Sequence, residues 1–275
     1  MFRWDAHHGE EPVISGTRGS GTVFFGRCTL RCLYCQNYPW SQEGSYDERV
    51  SSVEDLCDIF RELAERGCHN WNLASPTPWL PWIREALDRL KSAGVQIPVV
   101  YNSSGFEREE TLRRYGDMMD IYLVDLRYAL AATAREGSDA EGYVDVARRA
   151  LIECRRQAGA LTYDEHGVAT SGLICRILVL PGHADEAIAS LRWIADTLGI
   201  DTAVSVMSQY TPTYRAVDRT PWDRRVTTDE YARVQEAVGE LGFTTGWVQD
   251  MVAPTPTGLI GFEMTAGDGQ GGVHE

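Results

Sequence analysis

The sequence predicts an α/β fold, a full or partial (β/α)6 barrel of the TIM type with parallel strands, in a single domain. Short apolar runs alternate with helical segments along most of the chain. The runs are continuously apolar, which is typical of parallel strands covered by helices on both faces. A length of 275 residues also suits one α/β domain. In such folds, ligands bind at the carboxyl ends of the strands.

Each predicted element follows from its apolar pattern and its boundary residues. Capping boxes begin two helices, Ser51 with Glu54 and Thr227 with Glu230, and Gly67 ends the first of these. The other predicted helices are 80–93, 107–115, 140–157 and 184–198. The predicted strands are 22–25, 70–74, 97–101, 121–126, 173–180 and 203–206, and 243–248 is a candidate for a short last strand.

We expect residues 1–250 to form the barrel domain, with a cysteine-bearing loop at 26–42. Residues 251–275 form a C-terminal extension, which we expect to be disordered from about residue 265 because it is rich in glycine and polar residues. No internal repeat or domain linker is evident.

The composition excludes several function classes. A net charge of −14 argues against nucleic-acid binding, since phosphate contacts need clustered basic side chains. No run of about 20 apolar residues could span a bilayer, and the polar N-terminus lacks a signal-peptide core. We therefore expect a cytoplasmic protein with no membrane partner. Seven cysteines, an odd number, do not suggest a disulfide framework.

Three of these cysteines, Cys28, Cys32 and Cys35, lie on one polar loop directly after the first predicted strand. Structural zinc normally needs four protein ligands, and no fourth cysteine lies nearby. A [4Fe–4S] cluster held by three cysteines leaves one iron open to substrate, unlike the four-cysteine site of a ferredoxin. The alternatives are a zinc site with a distant fourth ligand, three inert thiols, or a non-catalytic electron carrier.

The loop resembles the Cys-x-x-x-Cys-x-aromatic-Cys signature of the radical S-adenosylmethionine superfamily. Further segments are similar to the pyruvate formate-lyase activating enzyme-like proteins of that superfamily. They are 14–25, 35–38, 100–105, 179–182 and 207–210. The resemblance implies a [4Fe–4S] cluster whose open iron binds S-adenosylmethionine and reductively cleaves it to a 5′-deoxyadenosyl radical.

The resemblance also implies contacts to the cofactor. Tyr34 would lie against the adenine, and Val179 would offer it backbone groups. Ser75 and Thr77, in the 74–78 segment that replaces the usual Gly-Gly-Glu motif, are candidates for the methionine ammonium. The remaining candidates lie on the third to fifth predicted strands or directly after them. Amides and carboxylates there can bond ribose hydroxyls, and Arg127 can pair with the methionine carboxylate. These candidates are Asn102, Ser104, Asp125, Arg127 and Arg176. Residues 102–105 also fit a turn and helix N-cap.

The expected substrate is a small molecule or a peptide, and the expected reductant is a flavodoxin or ferredoxin. The alternative is an activating enzyme that installs a glycyl radical on a partner protein. Cys57, Cys68, Cys154 and Cys175 show no ligand spacing, so we expect them to be core thiols.

Overall fold

In this computed structural model, residues 3–44, 50 and 52–251 are described, and nine strands within them form one sheet. The strands are β1 (Arg3–His7), β2 (Ser20–Phe24), β3 (Trp71–Ala74), β4 (Val99–Ser103), β5 (Ile121–Asp125), β6 (Thr162–Tyr163), β7 (Ala169–Leu178), β8 (Ala203–Met207) and β9 (Gly246–Val248).

Helices separate most of the strands. They are α1 (Pro12–Ser15), α2 (Tyr38–Ser41), α3 (Val53–Glu65), α4 (Leu80–Ser92), α5 (Glu109–Tyr115), α6 (Ala131–Ser138), α7 (Tyr143–Ala158), α8 (Ala184–Leu198) and α9 (Thr228–Leu241), with 3₁₀ turns at Thr77–Trp79, Gly116–Met118 and Tyr214–Ala216. None of the helices in this part of the chain is both long and apolar enough to cross a bilayer.

The main path of the sheet runs β1-β2-β3-β4-β5-β7-β8-β9. All neighbours from β2 to β9 along this path are parallel, whereas β1 pairs antiparallel with β2 and β6 pairs antiparallel with β7. Within the described residues, β1 does not pair with β9, so the barrel is partial. The predicted α/β class, parallel sheet and single domain are confirmed.

Three local predictions need correction. The capping box of α3 is formed by Ser52 and Asp55, one residue later than predicted, with Asp55 N–H donating to Ser52 Oγ over 3.1 Å. Strand β1 was missed because its sequence is polar, and α6 was missed because its apolar pattern is weak. Most of the extension 251–275, including the tail from 265, lies outside the described residues.

The sheet is covered by apolar residues on both faces. The larger core lies between the strands and the helices and includes the four cysteines predicted to be core thiols. A smaller core lies on the inner face near the starts of the strands, where alternate residues of neighbouring strands meet Ile14 of α1. Its buried members are Ile14, Val100, Ile121, Leu123, Ala169, Ile174 and Ala203.

Candidate active site

The cysteine loop connects β2 to α2 at the carboxyl end of the parallel sheet. Its backbone is fixed by hydrogen bonds to other segments, since Cys28 N–H donates to Ser41 O over 3.2 Å and Leu33 N–H donates to Gly137 O over 2.9 Å. Arg27 adopts a left-handed φ of 64°, which is uncommon for a residue other than glycine. The loop therefore has one defined conformation, with Cys32 buried and Cys28 and Cys35 half-buried.

Each of the three sulfur atoms lies near hydrogen-bond donors. Leu30 N–H lies 3.4 Å from Cys28 Sγ, and the Ser41 hydroxyl lies 3.3 Å from Cys35 Sγ. Cys32 Sγ accepts from Ser138 Oγ at 3.0 Å and from Arg127 Nη1 at 3.5 Å. Donors of this kind stabilise thiolates and tune iron–sulfur clusters.

The donor set can be compared with the requirements of a metal. Burial raises the pKa of all three thiols, and nearby Arg127 opposes that rise most at Cys32. A metal bound here would therefore have to drive the formation of the thiolates. A single zinc ion needs its ligand atoms within about 2.3 Å of one point. Within the described ranges, no three His, Cys, Asp or Glu side chains are arranged to hold one such ion. A four-iron cube would offer each thiolate a separate iron, so three thiols on one loop are compatible with a cluster.

A charged network lies on the inner face of the sheet, two residues beyond the small core on each strand. Arg176 is its centre: Nε donates to Asp125 Oδ1 over 2.8 Å, Nη1 to Glu10 Oε2 over 3.1 Å and Nη2 to Asn102 Oδ1 over 2.5 Å. Arg127 Nη2 donates to Asp125 Oδ2 over 2.5 Å. One carboxylate thus joins both arginines, and Arg127 continues the network to Cys32.

The charges in this network stabilise one another. Burial acts to raise the pKa of Asp125, but Arg176 and Arg127 outweigh it and hold that pKa below its usual value. Burial likewise opposes the charged form of Arg127, and the carboxylate of Asp125 holds its pKa well above the usual range. Both groups are therefore charged beside the cysteine loop at neutral pH.

Two buried oxygen atoms near the network have no hydrogen-bond donor in the part of the chain that the structure describes. They are Glu11 Oε2 and Asn72 Oδ1. Burial raises the pKa of Glu11, although Arg176 opposes the rise. Buried polar atoms are rarely left without a partner, so the interior offers acceptors to a bound ligand.

Three of the predicted contact residues meet the loop or the strand ends. Ser75, with a left-handed φ of 57°, places its hydroxyl 3.8 Å from Cys28 Sγ. Ser104 Oγ lies 3.2 Å from Thr29 Oγ1 on the loop. The N–H of Val179 already donates to Met207 O over 3.0 Å, so only its carbonyl could meet an adenine.

Two other predicted residues are engaged elsewhere. Thr77 donates to Glu107 Oε1 over 2.7 Å, and Ser103 donates to the same atom. Ser103 directly follows Asn102 on β4, so its side chain points to the opposite face of the sheet from the arginine network. The ring of Tyr34 stacks on Trp222, with centroids 5.6 Å apart, and its hydroxyl bonds Tyr128 over 2.7 Å.

The sequence interpretation missed Glu10 and Ser138. Glu10 reaches Arg176 across 166 positions of sequence, and no local pattern indicates such a pair. Ser138 ends α6, a helix that was itself not predicted. A single sequence therefore held no signal for either role.

The fold and the loop define a class, the partial-barrel radical SAM proteins. The radical SAM superfamily model matches residues 22–194, more than half of the chain. The chain belongs to the radical SAM superfamily.

The individual proteins that resemble this chain share little of its sequence. An uncharacterized protein of Methanocaldococcus jannaschii is 28% identical over 238 residues, 84% of this chain and 64% of that protein. The structure of native anSMEcpe with bound AdoMet has a TM-score of 0.56 at 9% identity, covering 81% of this chain and 62% of that one. Streptococcus suis SuiB bound to precursor peptide SuiA has a TM-score of 0.51 at 11% identity, covering 83% and 48%. The chain thus spans less than two thirds of each of these proteins.

Proposed function

We propose that this chain is a radical SAM enzyme in which Cys28, Cys32 and Cys35 hold a [4Fe–4S] cluster that binds S-adenosylmethionine. The observation that carries the proposal is the arrangement of three thiols on one loop, with a donor to each sulfur, at the carboxyl end of a superfamily-type sheet. When bound, the two cofactors supply one-electron cleavage of the sulfur–C5′ bond, giving methionine and a 5′-deoxyadenosyl radical that abstracts hydrogen from the substrate.

In this proposal, side chains of the protein position the cofactors and balance their charge. Asp125 fixes both arginines, which leaves Arg127 Nη1 free to neutralise charge at Cys32. Asn102 and Arg176 present polar groups from adjacent parts of the inner face, where a ribose or a methionine carboxylate could be bound. Ser75 and Ser104 lie at the loop, where they would meet the methionine part of the cofactor.

Water exclusion follows from the inner core. Ile14 and its neighbours fill the inner face at the starts of the strands, so cofactor and substrate would enter from the carboxyl end. A radical formed there would lie above the charged network, and the apolar core beneath that network would close the inner face to solvent, which limits side reactions.

The substrate class we favour is a small molecule or a peptide. SuiB, a structural neighbour, was solved with a precursor peptide. The alternative, a glycyl-radical activating enzyme, rests on the segments similar to pyruvate formate-lyase activating enzymes and stays a prediction. Lysate separated by ultrafiltration distinguishes them: the low-mass fraction should stimulate 5′-deoxyadenosine formation if the substrate is small, and the protein fraction should do so if it is not.

The cluster itself is tested by anaerobic reconstitution of the wild type, Cys32→Ala and the matched core variant Cys175→Ala. We expect about four irons and sulfides per chain in the wild type and in Cys175→Ala, with loss of both in Cys32→Ala. Adding S-adenosylmethionine to the reduced wild type should change its electron paramagnetic resonance spectrum. One zinc per chain without iron or sulfide would contradict the proposal.

A further inference from the structure

The cysteine loop carries a local excess of positive charge, although the chain as a whole is acidic. The chain has 26 Lys and Arg against 40 Asp and Glu. Residues 26–38 nevertheless contain two arginines and no acidic residue, and residues 214–225 contain four arginines against two aspartates. A local balance of this sign, opposite to that of the chain, indicates a partner of negative charge.

The two segments form one surface. Arg215 N–H donates to Leu33 O over 2.9 Å, which joins the turn after β8 to the cysteine loop. The rings of Tyr38 and Tyr214 stack with centroids 4.3 Å apart and planes 10° apart. The guanidinium of Arg215 lies over the Tyr214 ring at 4.7 Å. We call Arg27, Arg31, Arg215 and Arg219 the arginine patch.

The members of the arginine patch are exposed and have no carboxylate partner within residues 3–44, 50 and 52–251. Several other surface arginines are paired: Arg89 with Glu85, Arg113 with Glu109 and Arg233 with Asp185. The exposed Arg108 and Arg192 also have no ion pair within the described residues, but they lie on other parts of the chain. An unpaired guanidinium keeps its full charge and all its donors for an incoming carboxylate.

Acidic residues lie beside the arginine patch but form no ion pair with its arginines within the described residues. Asp218 and Asp223 lie in the turn segment, and Thr220 donates to Asp223 over 2.9 Å. On α6, Glu136 accepts from the Trp222 indole over 2.7 Å, and Asp139 follows the end of the helix. These carboxylates limit the favourable contact area to the loop and the turn.

We propose that the arginine patch is the docking surface for an acidic one-electron carrier protein of the flavodoxin or ferredoxin class. This rests on the proposed function. Arg27 and Arg31 each precede a cluster cysteine, so a partner seated on the patch is brought directly over the cluster loop. The docked carrier loses one electron and the cluster gains it, with no bond formed or broken. Complementary charge at such a surface mainly accelerates association.

The test uses reconstituted full-length protein and reduced flavodoxin in stopped flow. The variants are Arg31→Glu and the double variant Arg215→Glu/Arg219→Glu. The control is Arg192→Glu, which makes the same charge change per residue at an exposed position on α8.

At low ionic strength we expect flavodoxin oxidation to slow about tenfold or more in the patch variants, and to be unchanged in Arg192→Glu. The difference should shrink in high salt, which screens surface charge. Cleavage supported by dithionite should stay within about twofold of wild type, because a small reductant needs no docking.

The outcomes separate the two claims. Iron and sulfide are measured first, because a wild type that assembles no cluster contradicts the proposed function and with it the docking surface. Equal flavodoxin rates in all variants with intact clusters contradict the docking surface alone. An equal loss with flavodoxin and with dithionite also overturns it, since the arginines would then act on cofactor or substrate.

Discussion

Replacing Glu10 with alanine should destabilise the protein strongly, although Glu10 lies in a short segment ahead of the first parallel strand. Its Oε2 accepts from Arg176, and its Oε1 accepts from Asn72 over 2.9 Å and from Asn102 over 3.4 Å. The carboxylate thus connects three strands. The Glu10 side chain is only 11% exposed and that of Arg176 only 14%, so both charges are largely removed from water.

The magnitude follows from that burial. Removing one partner of a buried ion pair costs about 3–5 kcal/mol. Arg176 keeps Asp125 and Asn102, so we expect the lower end, about 3 kcal/mol, for Glu10→Ala. Glu10→Gln keeps an acceptor oxygen and should cost about 1 kcal/mol.

The assay is urea unfolding of the cluster-free protein at neutral pH, followed by circular dichroism. Glu165→Ala is the control, because that side chain is 87% exposed and its loss should change the free energy of unfolding by less than about 0.5 kcal/mol. If Glu10→Ala unfolds at the wild-type midpoint with an unchanged slope, the network does not hold the N-terminal segment and the reasoning is refuted.

Two further predictions concern stability away from the cysteines. Gly105→Ala should lower the free energy of unfolding by about 3 kcal/mol or more, because φ is +79° and the new Cβ would lie 2.5 Å from Asp125 O. The control Gly142→Ala, where φ is +74° and the space around the new Cβ is open, should lower it by about 1 kcal/mol. Equal losses of stability in thermal unfolding would contradict this prediction. Burial raises the pKa of Glu107, so its protonated form stabilises the fold at low pH and that contribution is lost as pH rises through the folded-state pKa. Glu107→Gln should therefore gain stability relative to wild type as the pH rises above 4.5, the usual pKa of a glutamate side chain. The exposed variant Glu110→Gln should follow wild type, and parallel pH profiles for all three proteins would contradict the assignment.

Much of the fold could be predicted because its strands are apolar and its helices carry local boundary signals. Helix α8 occupies 184–198 as expected. The α3 capping box shows the limit of such signals. Ser51 with Glu54 and Ser52 with Asp55 share the same spacing, and in the structure the second pair forms the box.

The sequence predicted those site residues that are close to one another along the chain or that lie at the ends of predicted strands. The three cysteines share one loop, and Asp125 and Arg176 pair directly in the β5–β7 register. Thr77 shows where this reasoning stops, because the 3₁₀ turn that begins there directs its hydroxyl to Glu107. Whether it contacts a cofactor stays a prediction.

The most direct test of the central proposal is the yield of 5′-deoxyadenosine from S-adenosylmethionine and dithionite in reconstituted protein. The account predicts equal amounts of methionine and 5′-deoxyadenosine in the wild type and in Cys175→Ala, and neither product in Cys32→Ala. A wild type with an intact four-iron cluster that forms neither product would contradict it.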